Sequence, residues 1–413
     1  MVGGIWESER GVRQGGRAVR AAALMAACLW GSAAWGQLQG HISMVKDEYL
    51  AGEPMYVLFE MTNVGKEAVQ FAAASDPYIE VCSGYQIEVT RGGAGQQASC
   101  AVEKAGEDCV TENEMLAPGE SRHRLILVNY AHDVSKMGSY EIHAVEAFKY
   151  GVGAETLNAM EGKEFRVEAR IPIRVIKGES ESLKSIYQVY VRNLQSQDDE
   201  IQREAERAIV SGAPPWLEDT IVAMVGRYTS RELALLGLRN LNTARSREEL
   251  GKIVQNSSEL TQENEMAVKY LAQLGDKKYF PMLLELAKKV SANEGREYVL
   301  AAAKLGGDDA VPFLRELLSS ADANARANGL VGLEKTGSRA AVPLLIEALK
   351  DPNADLGKLA LSGLTGLTHR SVEGAKNDPP AEEYGAWSKW WAANGETAEV
   401  YGPRECGEIE VMK

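Results

Sequence analysis

Residues Phe165 to Val175 run FRVEARIPIRV, apolar at every odd position and charged or proline at every even one. A period of two marks a strand with one face on a core and the other in water. The same alternation runs through Met55, Val57, Phe59 and Met61, through Tyr85, Ile87 and Val89, and through Tyr140, Ile142 and Ala144. Turn formers separate these runs: Ala51-Gly52-Glu53-Pro54, Asn63-Val64-Gly65, Ala117-Pro118-Gly119 and Met137-Gly138. Short strands so punctuated predict an antiparallel β-sandwich over residues 37–178.

From Ser182 the period becomes helical. Pro281, Pro312 and Pro343 are spaced by 31 residues and again by 31, and Gly275, Gly306 and Gly337 keep the same register six residues upstream. Self-similarity at such a period is the mark of a stacked-helix solenoid. Six helix pairs fit residues 179–370, broken at Gly212-Ala213-Pro214-Pro215, Asn240-Leu241-Asn242-Thr243 and the three glycine sites. Each repeat glycine is expected to close a helix in the left-handed conformation. Each proline then sits near the start of the next helix, where its missing N–H costs little. Leu283, Leu314 and Leu345 share one core position; Leu274, Leu305 and Thr336 share another. The fold expected is therefore multidomain, a β-sandwich followed by an α-solenoid.

Two stretches resemble known families. Leu305 to Asp351, LGGDDAVPFLRELLSSADANARANGLVGLEKTGSRAAVPLLIEALKD, is similar to HEAT repeats of the short, phycobilin-lyase type. The usual Val-Arg opening of the second helix survives as Ala325-Arg326. The resemblance implies a HEAT-like solenoid that binds proteins; it does not carry lyase activity over. The segment AGEPMYVLFEMTNVGKEAVQF and the later LAPGESRHRLILVNY and MGSYEIHA resemble the opening hairpin and closing strands of bacterial Ig-like modules. That likeness implies a fold and no particular activity.

Residues 371–413 contain Ala386 to Gly395, AWSKWWAANG, which predicts one short helix closed by Gly395. Trp387, Trp390 and Trp391 lie at i, i+3 and i+4 and share a face. An open solenoid must cover its last apolar face, so a Trp-rich capping helix is expected here. An aromatic platform for sugar rings or a partner peptide is the competing reading. The segment 371–383 reads as a polar loop, and Pro403 to Cys406 as an extended tail.

The N-terminus adds a compartment. Arg10, Arg13, Arg17 and Arg20 precede the apolar run Ala21 to Trp35, so residues 1–36 read as a signal peptide. Cleavage is expected after Gly36, with Ala34 as an alternative; lipidation at Cys28 and an uncleaved anchor are further alternatives. Export would leave Cys82, Cys100, Cys109 and Cys406 in an oxidising periplasmic or extracellular space. Four thiols can pair in three ways. The short loop between Cys100 and Cys109 favours that pair, which leaves Cys82 for Cys406; one or two free thiols is the other reading.

Charge and motifs narrow the function. The 413-residue chain carries a net charge of −14 and 25% charged residues. Such a chain is poorly suited to phosphate backbones or anionic membranes. No C-x-x-C, H-E-x-x-H or G-x-S-x-G element occurs, and His123, His132 and His143 lack ligand spacing. No catalytic, cofactor or metal residue is therefore expected, and the chain reads as no enzyme. What register does offer is an outward ladder. The Glu265 position recurs as Arg296, Ala327 and Lys358, and the Gln262 position as Asn293, Asn324 and Asp355. Glu265, Arg296, Asn324 and Lys358 are the candidates for a partner-binding surface, against the alternative of a merely solvated face. The expected function is an exported scaffold or adaptor for a protein partner. The alternative is an inhibitor or a carbohydrate- or cell-wall-binding module acting through loops between Cys82 and Cys109, where 91–111 is rich in Gly, Gln and Ser.

Overall fold

A computed structural model describes residues 37–74, 84–92, 96–97, 111–132, 134–153, 162–178, 180–227, 230–256, 261–290, 295–370 and 380–402. Cys28, Cys82, Cys100, Cys109 and Cys406, the expected signal peptide 1–36, Asn293 and most of the loop 91–111 lie outside the described residues. The chain divides into two compact units with the boundary at Pro214–Pro215.

The first unit is built from ten strands. These are β1 (Leu38–Met44), β2 (Glu48–Leu50), β3 (Tyr56–Asn63), β4 (Val69–Ala74), β5 (Tyr85–Arg91), β6 (Gln96–Gln97), β7 (Thr111–Leu116), β8 (Ser121–Leu127), β9 (Gly138–Val152) and β10 (Lys163–Ile176). They form a three-stranded sheet of order β1-β3-β8 and a larger sheet of order β2-β10-β9-β4-β7. The long β9 takes β10 along one edge and divides the other between β5 and β4. Every pairing is antiparallel except β2 with β10, which runs parallel.

The alternation behaves as expected in β10. Phe165, Ile173 and Val175 are buried while Arg166, Glu168, Arg170, Pro172 and Arg174 are exposed. Proline fits at an exposed position of a strand where its missing donor is not needed. The inward residues of both sheets meet in one core: Ile42, Val57, Phe59 and Ile126 from the smaller sheet, with Ile87, Val89, Ile142, Ala144, Ile173 and Val175 from the larger. A second cluster joins Leu38 and Met61 to Val69, Phe71, Tyr150 and Phe165.

Besides the single helical turn Val128–Ala131, two longer helices complete the described part of this unit, α1 (Ser180–Asn193) and α2 (Asp199–Gly212). Asp198 caps α2 by accepting from the N–H groups of Glu200 and Ile201. Ala208 of α2 packs in a cluster with Tyr56 and Leu127 of the sheet, flanked by Tyr130 and Tyr190. The Tyr187 hydroxyl donates to the Gly52 carbonyl at 2.8 Å. The first helix pair thus groups with the strands, although its sequence period is that of the helices that follow.

The second unit begins at Pro215 and is helical. Its elements are α3 (Glu218–Val225), α4 (Arg231–Leu241), α5 (Ala244–Asn256), α6 (Gln262–Leu274), α7 (Phe280–Lys289), α8 (Arg296–Gly306), α9 (Val311–Leu318), α10 (Ala323–Thr336), α11 (Ala341–Ala348), α12 (Ala354–Thr368) and α13 (Pro380–Asn394). The even-numbered helices α4, α6, α8, α10 and α12 pack one on the next in a row, and each also packs on its own odd-numbered partner. Leu283, Leu314 and Leu345 are each completely buried. Leu305 is buried, and Leu274 and Thr336 are half-buried.

One expected cap moves. Gly275 and Gly337 close α6 and α10 at φ +69° and +59°. Gly306, expected to do the same for α8, stays helical, and Gly307 takes the positive φ of +55°. The Phe280 ring gives Gly306 a different task. A Cβ on Gly306 would meet that ring at 2.4 Å, so Gly306 is needed for space and Gly307 for backbone conformation.

Candidate functional site

The four surface candidates fall on successive members of the helix row. Glu265 is in α6, Arg296 in α8, Asn324 in α10 and Lys358 in α12, and all four are exposed. Each lies within the first turn or so of its helix, so they mark the N-terminal edge of the row and not its full face. Thr261, Asp322 and Asn353 cap α6, α10 and α12 just before them, each accepting from a backbone N–H of the first turn. Lys358 reaches Asp355 of its own helix at 2.9 Å. Ala327, at the Glu265 position of α10, is half-buried, while Gln262 and Asp355 are exposed. The edge therefore presents both signs of charge together with amides.

Ion pairs between neighbouring repeats stiffen this row. Arg326 at the start of α10 binds both carboxylate oxygens of Asp351, at 2.8 and 3.3 Å, and donates to the carbonyls of Ser320 and Ala321. Burial would raise the Asp351 carboxyl, but the Arg326 bonds and the Asn353 N–H outweigh it and hold it below the ordinary aspartate range. Arg247 joins Asn242 to Asp276 in the same manner. Ser338 donates to Asp308 one repeat earlier.

The helix α13 packs on α11 and α12. Trp387 is completely buried and donates to the Glu383 carboxylate at 3.3 Å. Trp390 stands edge-on to Trp387 at 5.6 Å, and it and Trp391 are half-buried. The guanidinium of Arg370 lies 5.3 Å from the Trp390 ring and that of Arg339 lies 5.9 Å from Trp391. Arg339 also donates to the carbonyls of Gly395 and Ala398. Tyr401 stacks on His369 at 4.1 Å and donates its N–H to the Leu367 carbonyl.

A buried charge cluster in the first unit was not foreseen. Glu146 of β9 is 2% exposed. Its Oε1 lies 3.5 Å from Arg122 Nη1, and its Oε2 has no hydrogen-bond partner. Arg122 is committed elsewhere: its Nη2 donates to one Glu114 oxygen at 3.1 Å, its Nε lies 2.8 Å from the other without hydrogen-bond alignment, and its Nη1 donates to the Tyr85 hydroxyl. Arg124 reaches the same Glu114 at 3.2 Å. Burial pushes the Glu146 carboxyl up to about 7, against the opposing pull of Arg122 and a hydrogen bond from Tyr85. Burial likewise raises the Tyr85 hydroxyl. The signal for this cluster was present in the strands. Glu146 sits in the inward series Tyr140, Ile142, Ala144, Glu146, and Arg122 and Arg124 share the inward parity of Ile126.

The histidines stand on separate partners. His123 faces Glu60 at 3.1 Å and His143 faces Glu88 at 3.2 Å, each across a strand pair. His132 is buried, and burial lowers it to about 4. Among the described residues no three His, Cys, Asp or Glu side chains group as metal ligands, and no helix is long and apolar enough to cross a membrane.

Comparison with known proteins agrees with the helical half. The family model for HEAT repeats matches residues 291–365. No curated protein matches the chain. Among solved structures, the complex of CpcE and CpcF of phycocyanin lyase from Nostoc sp. PCC7120 matches at 17% identity, covering 50% of this chain and 82% of that one, with a TM-score of 0.28. An engineered protein matches at 19% identity, over 46% of this chain and 84% of its own, with a TM-score of 0.20. Residues 291–365, from just before α8 into α12, are thus similar to HEAT repeats.

Proposed function

We propose that this protein is an exported, non-enzymatic scaffold that holds a protein partner on the edge of its HEAT-like helix row. One observation carries the reading: α6, α8, α10 and α12 stack in a fixed row and expose Glu265, Arg296, Asn324 and Lys358 in sequence order. A rigid surface of mixed charge suits recognition of a folded protein, because the repeats need no ordering on binding. In this reading the strands form an Ig-like β-sandwich, α13 caps the array, and the cysteines pair after export to the periplasm or beyond. Lipid attachment through Cys28 is its minor variant.

The test is site-specific photocrosslinking of the mature protein in envelope extract. Probes at Arg296 and Lys358 should give one saturable protein adduct, and the double variant Glu265→Lys/Arg296→Glu should abolish it. Adducts confined to probes in the loops between Cys82 and Cys109, or retention on peptidoglycan without any adduct, would instead favour the cell-wall or inhibitor module. Export has its own check. N-terminal sequencing should begin at Gln37, and a full-length cytoplasmic product would exclude this reading. Mass mapping without reductant should find at least one disulfide among Cys82, Cys100, Cys109 and Cys406.

A further inference from the structure

An open groove in the first unit is lined by Ala51, Arg91, Ser135, Lys136, Met137, Lys177 and Gly178 and encloses about 560 Å³. That lies within the usual size of small-ligand sites. Three of its seven lining residues are cations and none is an acid, in a chain whose net charge is −14. Among the described residues none of the three cations is held in an ion pair, whereas Arg166, Arg170 and Arg174 on β10 each face a glutamate. We propose that the groove is a binding site for a small ligand carrying a doubly charged oxyanion, a phosphate monoester or a dicarboxylate.

The backbone of both walls is tied down. On one side Arg91, at the end of β5, donates from Nη2 to the Met137 carbonyl at 2.9 Å, and its guanidinium lies over the Tyr140 ring. Gly138, at φ +151°, leaves room there: a Cβ would stand 3.3 Å from Arg91 Nε. The loop carrying Lys136 is tied down in turn, because the Tyr140 hydroxyl donates to the Lys136 carbonyl at 2.6 Å and Gly92 N–H to the Ser139 carbonyl. On the other side the parallel pairing of β2 with β10 places Ala51 beside Lys177, with Ala51 N–H donating to the Ile176 carbonyl at 2.9 Å. Tyr187 locks the adjoining Gly52 carbonyl.

Among the described residues, acids of the adjoining strands and turns are engaged with other partners. Glu53 binds Lys46 and the Leu50 N–H, Glu48 faces Arg174, and Glu141 faces Arg170. Three cations on one groove attract an anion of charge two more strongly than one of charge one. A guanidinium with a free edge and two ammonium groups supply the donors that a phosphate or a pair of carboxylates accepts. The small and apolar residues Ala51, Met137 and Gly178 leave space for the body of the ligand.

The experiment is calorimetric titration of the full mature chain at low salt with inorganic phosphate and with citrate, acetate serving as the monoanion control. Saturable binding of phosphate or of citrate, tighter than acetate, is expected. Phosphate alone assigns a phosphate ester, and citrate alone assigns a carboxylate ligand. Lys136→Gln with Lys177→Gln should weaken binding at least about tenfold, as losing partners of a charge pair does. Lys136→Arg with Lys177→Arg should retain it, and physiological salt should weaken it. No saturable binding of either anion up to about 10 mM, or equal binding by the double glutamine variant, would overturn the assignment.

Discussion

Replacing Glu146 by glutamine separates two accounts of the buried cluster. Glu146 is 2% exposed, and one of its oxygens has no hydrogen-bond partner. The nearest cation, Arg122, is already paired with Glu114. An ionised carboxylate under those conditions is costly, and burial accordingly raises its pKa from 4.5 to about 7. The folded state therefore holds a proton that the unfolded state releases between these two values. Stability then falls as pH rises through that window, by about 1.4 kcal/mol per pH unit and about 3 kcal/mol in all. Below pH 4.5 both states are protonated and the group has no effect. Glutamine keeps the shape and cannot ionise. At pH 5 the variant should match the wild type closely, and at pH 8 it should be as stable or more stable, by up to about 3 kcal/mol. The assay must read the first unit alone. Among the described residues every tryptophan (Trp216, Trp387, Trp390 and Trp391) belongs to the helical unit, so tryptophan emission reports the wrong half. Hydrogen exchange of peptides from β5 and β9, followed in urea at the two pH values, reads the right one. A loss of about 3–5 kcal/mol at both pH values would refute the reasoning, since that is the cost of breaking a buried ion pair that stays charged.

Four further outcomes are expected. Trp387→Ala should lower the helical unit's stability by about 3–5 kcal/mol, and Trp391→Ala, at a half-buried position, by clearly less; urea unfolding followed by circular dichroism ranks them, and equal costs would deny Trp387 its place in the contact of α13 with α11 and α12. Arg326→Lys should fail to replace Arg326, because one ammonium cannot bind both Asp351 oxygens and two carbonyls; a loss of about 2 kcal/mol or more is expected. The same pair sets an acid limit: Asp351 is depressed in the folded state, so its contribution is present above the ordinary aspartate value and should be lost as pH falls below it, with Asp351→Asn removing that limb of the profile. Gly307→Ala should cost about 1 kcal/mol or more from its positive φ, whereas Gly306→Ala should cost through its clash with Phe280 and be partly relieved by Phe280→Leu; melting curves of the three variants distinguish strain from crowding.

The strand and helix patterns were legible because they are local. FRVEARIPIRV can bury only one of its faces, and the 31-residue recurrence of Gly and Pro can hardly be produced by anything but repeated helix pairs. Three features depended on what lies opposite. Gly306 and Gly307 are identical side by side, and only the Phe280 ring, packed from the preceding helix, shows that Gly306 is needed for space while Gly307 takes the positive φ. The apolar stripe of α2 shows that Ala208 must be covered, yet Tyr56 and Leu127 of the sheet cover it, so the helical period alone does not locate the unit boundary. Register likewise put Glu265, Arg296, Asn324 and Lys358 on neighbouring helices, but where each helix begins is set by its cap, and that placed all four at the edge of the row.

Glu146 is the opposite case, a residue whose burial could have been inferred from parity alone. Charge at an inward position of an alternating strand is a local inconsistency, and such inconsistencies persist where something offsets them. Here Arg122 and Arg124 carry the same inward parity on β8, in the other sheet. An inward acid on one strand and inward arginines on another together imply that the two strands face each other. The pairing of Arg122 with both Glu146 and Glu114 bears this out, because β8 belongs to the three-stranded sheet while β9 and β7 belong to the larger one. Polar residues at core positions thus carried long-range information that the apolar residues around them, being interchangeable, could not.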